Sequence, residues 1–335
     1  MAWYKLNHAG YSVQFSPFRK DLIAVGTAQF YGIAGNGKID IFRLVRSGGS
    51  RQCVLAAEFP TNHGIYDVAW SEVHDNVLAG ACADGSIKVV DVTKSGSPPV
   101  LSMVPHQAEC NAVDWNIHIK AYICTAGWDN RVTVCDVMKG SIVRQWDFEK
   151  TRQPVCYESR WSPAKDGVFA SVSGNGYLYV MDALDKRTQP VLSIPAHAHE
   201  VLSVDWNKYR QNIIVTGSVD KTLRVWDIRK PAAPVTQLFG HALAVRRVRT
   251  HPFSADIVAS ASYDMSMCLW DISTNEITRR FDHHSAFVVG IDWSLFEENV
   301  IATTSWDKSI CSWDVGSAPP NPPASFDRKK TPGIR

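Results

Sequence analysis

A chain of 335 residues with 45% hydrophobic content can bury an ample core, but a single core of that size would be large, so repeated smaller cores are sought first. Its 35 basic and 33 acidic residues leave a formal net charge of +2, which argues against a general nucleic-acid or membrane-surface binder. No run of about 18 apolar residues exists, so no membrane span is expected, and the first residues carry no charged-then-apolar signal pattern.

In chain order, Trp3-Tyr4-Lys5-Leu6-Asn7 comes first, a short strand with no obvious partner nearby. One phrase then recurs. An aromatic closes a short strand at Phe15, Trp70, Trp115, Trp161, Trp206 and Trp293, with Thr250 in the matching place. A tight turn follows, carrying Asn36 (after a longer gap), Asp84, Asp129, Asn175, Asp220, Asp264 or Asp307. Seven residues beyond each turn stands Arg43, Asp91, Asp136, Asp182, Asp227, Asp271 or Asp314. The last six are 45, 46, 45, 44 and 43 residues apart, the period of a propeller blade. Thr222–Asp227 and Ser309–Asp314 alternate as strands do, and helical periodicity is absent over any useful length.

Four units carry a histidine nine residues before the closing position: His106, His197, His241 and His284. Each can bond the turn aspartate of its blade and satisfy a buried polar group. These features resemble the WD-repeat family. The reading is an all-β, seven-bladed WD40 β-propeller over residues 1–315. Blades 2, 3 and 4 depart from it, with Val90, Cys135 and Met181 where tryptophan usually stands; blade 4 lacks the histidine and blade 1 ends in Phe42-Arg43. Those blades are expected to be less firmly pinned. After Asp314 no outer strand follows, so the N-terminal strand should pair with the strand around Ser309–Trp313 and close the ring in the last blade. Residues 316–335 are Pro-rich and expected to be disordered.

Little points to catalysis. His197-Ala198-His199-Glu200 looks like a metal cluster, but His197 is the blade histidine. Gly32-Ile33-Ala34-Gly35-Asn36-Gly37 lacks the helix and the Lys-Ser or Lys-Thr of a phosphate loop and reads as a turn. The eight cysteines form no CxxC pair and read as reduced, buried hydrophobes. Arg246, Arg247 and Arg249 read as a solvated or partner-facing basic patch. No enzyme activity, cofactor, metal or nucleic-acid partner is expected.

The upper face of the ring is the informative surface. One row of positions precedes the turn aspartate: Ala83, Trp128, Gly174, Val219, Tyr263 and Trp306. A second begins the inner strand: Ala9, Gly64, Glu109, Val155, Glu200, Ala244 and Phe287. Two residues further in, Tyr11, Tyr66, Tyr157 and Arg246 can contribute. Scaffold packing does not require so many aromatics there, and aromatics dominate binding hot spots.

Three stretches narrow the family: Tyr11–Phe18, the Thr27–Gly37 run TAQFYGIAGNG, and His251-Pro252-Phe253 with Ser260–Asp264. Together they resemble receptors for the type-2 peroxisomal targeting signal. The resemblance implies a receptor moving between cytoplasm and peroxisome. Its partners would be the signal peptide of cargo enzymes, a co-receptor (a long form of the type-1 signal receptor or a fungal-type protein) and a docking complex on the peroxisomal membrane. The implied signal is a helical nonapeptide beginning with arginine, with positions one, two, five, eight and nine on one side. Its arginine needs a carboxylate, for which Glu109 is the first choice and Glu200 the second. Trp128, Trp306, Tyr263 and Phe287 would receive the apolar stripe, with Tyr66 beside them. The competing reading is a general WD40 scaffold, such as a ligase adaptor or a chromatin-associated binder.

Overall fold

The computed structural model describes residues 2–47, 50–148 and 155–316; residues 317–335 of the proline-rich tail lie outside the described residues. Seven four-stranded antiparallel sheets follow one another around a ring. Each inner strand ends where the sequence phrase does, as in Ala9–Phe15, Ile65–Trp70 and Val245–Thr250. The last sheet takes Val288–Trp293, Val300–Ser305 and Ser309–Asp314 from the C-terminal end and Ala2–Lys5 from the N-terminal end. The register of that closure runs from Ala2 opposite Ser312 to Lys5 opposite Ser309.

The cores lie between blades rather than within one centre. Leu78 and Val90 of blade 2 pack with Ile39 and Ile41 of blade 1. Trp146 of blade 3 packs with Trp161 and Phe169 of blade 4. Leu6, Val300 and Ile310 meet Phe15, Ile23 and Phe42 at the closing seam. Each blade presents two apolar faces because alternate residues of a strand point to opposite sides. Neighbours bury those faces pairwise, which is why seven small cores replace one large one.

Polar groups weld the seams near the axis. The Trp161 N–H donates to Asp114 of the preceding blade at 2.8 Å, the Thr250 N–H to Asp205 at 2.8 Å, and the Phe15 N–H to Asp292 at 2.9 Å. Indole N–H groups of Trp70, Trp161, Trp206 and Trp293 donate to backbone carbonyls of the previous blade at 3.0–3.3 Å. Glu158 is fully buried and pairs with Arg160, Arg247 and Arg249 at 3.1, 3.3 and 2.9 Å. Arg247 also reaches Asp67 of blade 2 at 2.9 Å. The three arginines therefore do not form the expected patch, since Arg247 and Arg249 are engaged inside the ring. Arg246, Arg247 and Arg249 are 7%, 2% and 8% exposed, because their strand is innermost and faces the axis.

Four blades carry a hydrogen-bonded relay. His106, His197, His241 and His284 place Nδ1 against Asp129, Asp220, Asp264 and Asp307 at 2.8–3.0 Å. Their Nε2 atoms meet the hydroxyls of Thr125, Thr216, Ser260 and Thr303 at 2.7–2.8 Å. In blades 5, 6 and 7 the indoles of Trp226, Trp270 and Trp313 donate to the same hydroxyls. Both ring nitrogens of His197 are thus in use within the blade. In blade 3, Cys135 stands in the place of the indole, and the Thr125 hydroxyl donates on to the Thr133 carbonyl at 3.2 Å.

Candidate functional site

Near its upper end, every inner strand slips by one residue against its neighbour. The bulged residues are Tyr11, Tyr66, Asn111, Tyr157, Leu202, Arg246 and Val289. A bulge re-aims its side chain out of the regular alternation. All seven line one cavity of about 380 Å³ at the upper mouth of the axis. The cavity floor is thus a ring assembled from one residue per blade.

The two rows read from the sequence lie outside that ring as hydrogen-bonded pairs. The Trp128 N–H donates to the Glu109 carbonyl at 2.9 Å, the Tyr263 N–H to Ala244 at 3.0 Å, and the Trp306 N–H to Phe287 at 3.0 Å. Gly64, Val155 and Glu200 accept likewise from Ala83, Gly174 and Val219. Of the seven sequence-predicted site residues, Glu109, Trp128, Tyr66, Tyr263 and Trp306 line the cavity. Phe287 stands behind them, stacked on Tyr263 at 4.7 Å and tilted against Trp306 at 5.3 Å. Glu200 is not among the lining residues and sits beside Tyr157.

The aromatics form one continuous group. Tyr11 contacts Tyr66 at 5.1 Å and Trp306 at 5.6 Å, and Trp306 contacts Tyr31 at 5.4 Å and Tyr263 at 6.3 Å. Trp128 on the opposite rim is 41% exposed. Burial, and then the charge of Glu109, push the Tyr66 hydroxyl up to about 12. Burial and the charge of Glu200 do the same to Tyr157, so both phenols stay neutral and can donate. Glu109 is half-buried, and among the described residues no cation pairs with its carboxylate.

The Thr27–Gly37 run leans over this cavity. Its short 3-10 turn, Gln29–Gly32, has Phe30 at φ 44° and Tyr31 at φ 55°. The Tyr11 hydroxyl donates to the Tyr31 carbonyl, and the Tyr66 hydroxyl donates to the Gly32 carbonyl at 2.7 Å. Gly32 has φ +75°, and a Cβ there would lie 2.8 Å from the Tyr11 hydroxyl and 2.9 Å from the Tyr66 ring. Only glycine fits. The loop adds Tyr31 and Ile33 to the cavity wall, and Ile33 is 88% exposed. Tyr31, Ile33, Asn111, Leu202 and Val289 were not picked out from the sequence. The bulge position, two residues into every inner strand, is the signal that finds the last three.

The opposite mouth of the axis is also concave, at about 270 Å³; it pairs Arg160 with Asp114 at 2.8 Å and carries Glu72, whose carboxyl burial raises to about 7. The upper mouth differs in its aromatic lining, beside which Glu109 has no paired cation among the described residues.

This architecture defines a WD-repeat β-propeller. The WD40 family (WD domain, G-beta repeat) matches residues 53–91, 188–227, 232–271 and 275–314. Among curated relatives, the Homo sapiens peroxisomal targeting signal 2 receptor is 36% identical over 265 residues, covering 66% of this chain and 80% of that one. The Saccharomyces cerevisiae receptor of the same name is 28% identical over 255 residues, 68% and 67% of the two chains. Peroxisome biogenesis protein 7 of Arabidopsis thaliana is 40% identical over 133 residues, a match spanning 39% of this chain and 41% of that protein. The chain belongs to the family of peroxisomal targeting signal 2 receptors.

Proposed function

We propose that this protein binds the N-terminal type-2 signal of peroxisomal matrix enzymes on its upper face and, with a co-receptor, delivers them for import. The observation that carries the reading is the Glu109 carboxylate on an aromatic rim, with no cation paired to it among the described residues. A nine-residue helix is about 14 Å long. A cavity of about 380 Å³ cannot enclose it, so the helix lies across the mouth and inserts one face. The signal's arginine pairs with Glu109, a charge-assisted contact contributing about 1.5–3 kcal/mol. Trp128, Tyr263 and Trp306 receive the apolar stripe, while Phe287 holds the last two in place.

Ordering a short helix costs free energy, so affinity for the ring alone is modest and a co-receptor that covers the helix slows its release. The loaded receptor then meets the docking complex at the peroxisomal membrane. Among the described residues no helix is long and apolar enough to cross a membrane, so membrane contact runs through that complex in this scheme.

The test is binding of a fluorescent signal nonapeptide. Wild type binds it, and replacing the peptide arginine by alanine weakens binding at least tenfold. Glu109→Lys abolishes binding with the melting temperature unchanged, while Glu200→Lys, outside the cavity lining, has a smaller effect. Full binding by Glu109→Lys would remove the carboxylate from the site.

A further inference from the structure

Arg246 is the one cation among the residues of the upper cavity wall, and it is 7% exposed. Its neighbours on the strand, Arg247 and Arg249, are equally deep, but each has a carboxylate partner. Among the described residues nothing accepts a hydrogen bond from Arg246, and its Nη1 is buried without a partner. Tyr11 and Tyr157 lie close enough to feel its charge, and both present neutral hydroxyls. The guanidinium stacked on a ring elsewhere is that of Arg144, over Trp146. A second orphan donor belongs to the same cavity: the indole Nε1 of Trp306 is buried and unbonded.

A guanidinium that is largely buried, with one nitrogen unbonded and no carboxylate paired to it among the described residues, is an expensive arrangement for a folded protein to keep. Polar atoms of native interiors nearly always find partners, so each exception calls for an explanation; of the eight such side-chain atoms among the described residues, Arg246 Nη1 and Trp306 Nε1 belong to this one cavity. The bulge on Val245–Thr250 explains how Arg246 comes to be separated from the ion web. Arg247 keeps the regular alternation and points to Asp67 and Glu158, whereas Arg246 is the extra residue. It is also set across the ring from Glu109. The two belong to blades 6 and 3, three blades apart in a ring of seven.

We propose that Arg246, with the Trp306 indole, forms a second polar subsite that receives an oxygen-acceptor side chain, amide or carboxylate, of the peptide docked on this face. It deepens the reading of the upper face given above and rests on it. A ligand that satisfies both charged positions carries a cation toward blade 3 and an acceptor toward blade 6. That pattern fixes the direction in which a helix lies, which an aromatic floor alone does not.

A double-mutant cycle tests this on the full chain. Signal nonapeptides are made with methionine in turn at every position after the first, and each is titrated into wild type and Arg246→Met. Methionine keeps the length of a Gln or Glu side chain and removes its acceptor. At one position methionine should weaken binding to wild type about tenfold and leave Arg246→Met almost indifferent. The melting temperature of Arg246→Met should equal or exceed that of wild type, because an uncompensated buried charge has been removed. If the nonapeptide binds but no position couples to residue 246, the subsite is overturned and the receptor reading stands. A variant that melts well below wild type, or fails to fold, makes Arg246 structural and overturns the proposal. If wild type binds no signal nonapeptide, both readings fall together.

Discussion

Asp40, on the long strand Gly37–Ser47 of blade 1, is 5% exposed, and its Oδ1 has no hydrogen-bond partner. Burial, and then the charge of Glu58, raise it to about 7. An acid raised in the folded state holds its proton where the unfolded chain has lost it. Folding stability therefore falls as pH climbs from about 4 to about 7 and stays at the lower level beyond. Asp40→Asn should raise stability by about 2–4 kcal/mol at pH 8 and leave it unchanged at pH 4. Melting curves at the two pH values decide it, and equal gains at both would deny that ionisation is the cause. Arg246 and Asp40 show the same thing at residue scale: a charge without a partner costs stability wherever it sits, and only its place on a binding face or inside a blade separates use from liability.

The blade is the next scale, and the histidine relay is what distinguishes one blade from another. Burial opposes ionisation of Asp307, but hydrogen bonds from His284 and Ser309 outweigh it and hold the carboxyl down to about 2. The pair's stability is present above about pH 4 and lost as pH falls toward 2. Asp307→Ala should cost about 2 kcal/mol at pH 6, a gap that narrows by pH 2 in urea titrations. Asp84 of blade 2 has no such histidine and bonds chiefly Ser86. Asp84→Ala should therefore cost about half as much, and equal costs would mean that the relay adds nothing. The Thr27–Gly37 loop belongs to this scale too. Two tyrosine hydroxyls and one glycine hold it over the cavity, so Gly32→Ala should disturb peptide binding more than stability.

At the scale of the molecule, the ring depends on two long-range features. Ala2–Lys5 supplies the outer strand of blade 7, with Leu6 and Tyr4 packed into the closing seam. Deleting residues 1–8 leaves the Ser309–Asp314 edge open. A lower melting temperature and self-association by size-exclusion chromatography are expected; an unchanged monomer would make the closure dispensable. Glu158 joins blades 4, 5 and 6 through Arg160, Ser203, Arg247 and Arg249. Glu158→Ala leaves arginines buried with fewer counter-charges and should cost about 3–5 kcal/mol by chemical denaturation.

Taken alone, the sequence determined the fold, the blade count and the site of closure, because each blade is a local phrase of alternating residues with a fixed turn and a period near 44. It also placed the two rim rows, since their positions count from the same turn and the same closing aromatic. Only the tertiary structure decided which of those residues share a cavity. The bulge on each inner strand re-aims a residue that simple alternation assigns elsewhere, and it brings Asn111, Leu202 and Val289 to the floor. Tertiary structure alone also separated Arg246 from Arg247 and Arg249. Three arginines within four positions look alike in sequence, but the partners of Arg247 and Arg249, Asp67 and Glu158, come from other blades. Pairing across a closed ring is a property of the assembled molecule, and no local pattern encodes it.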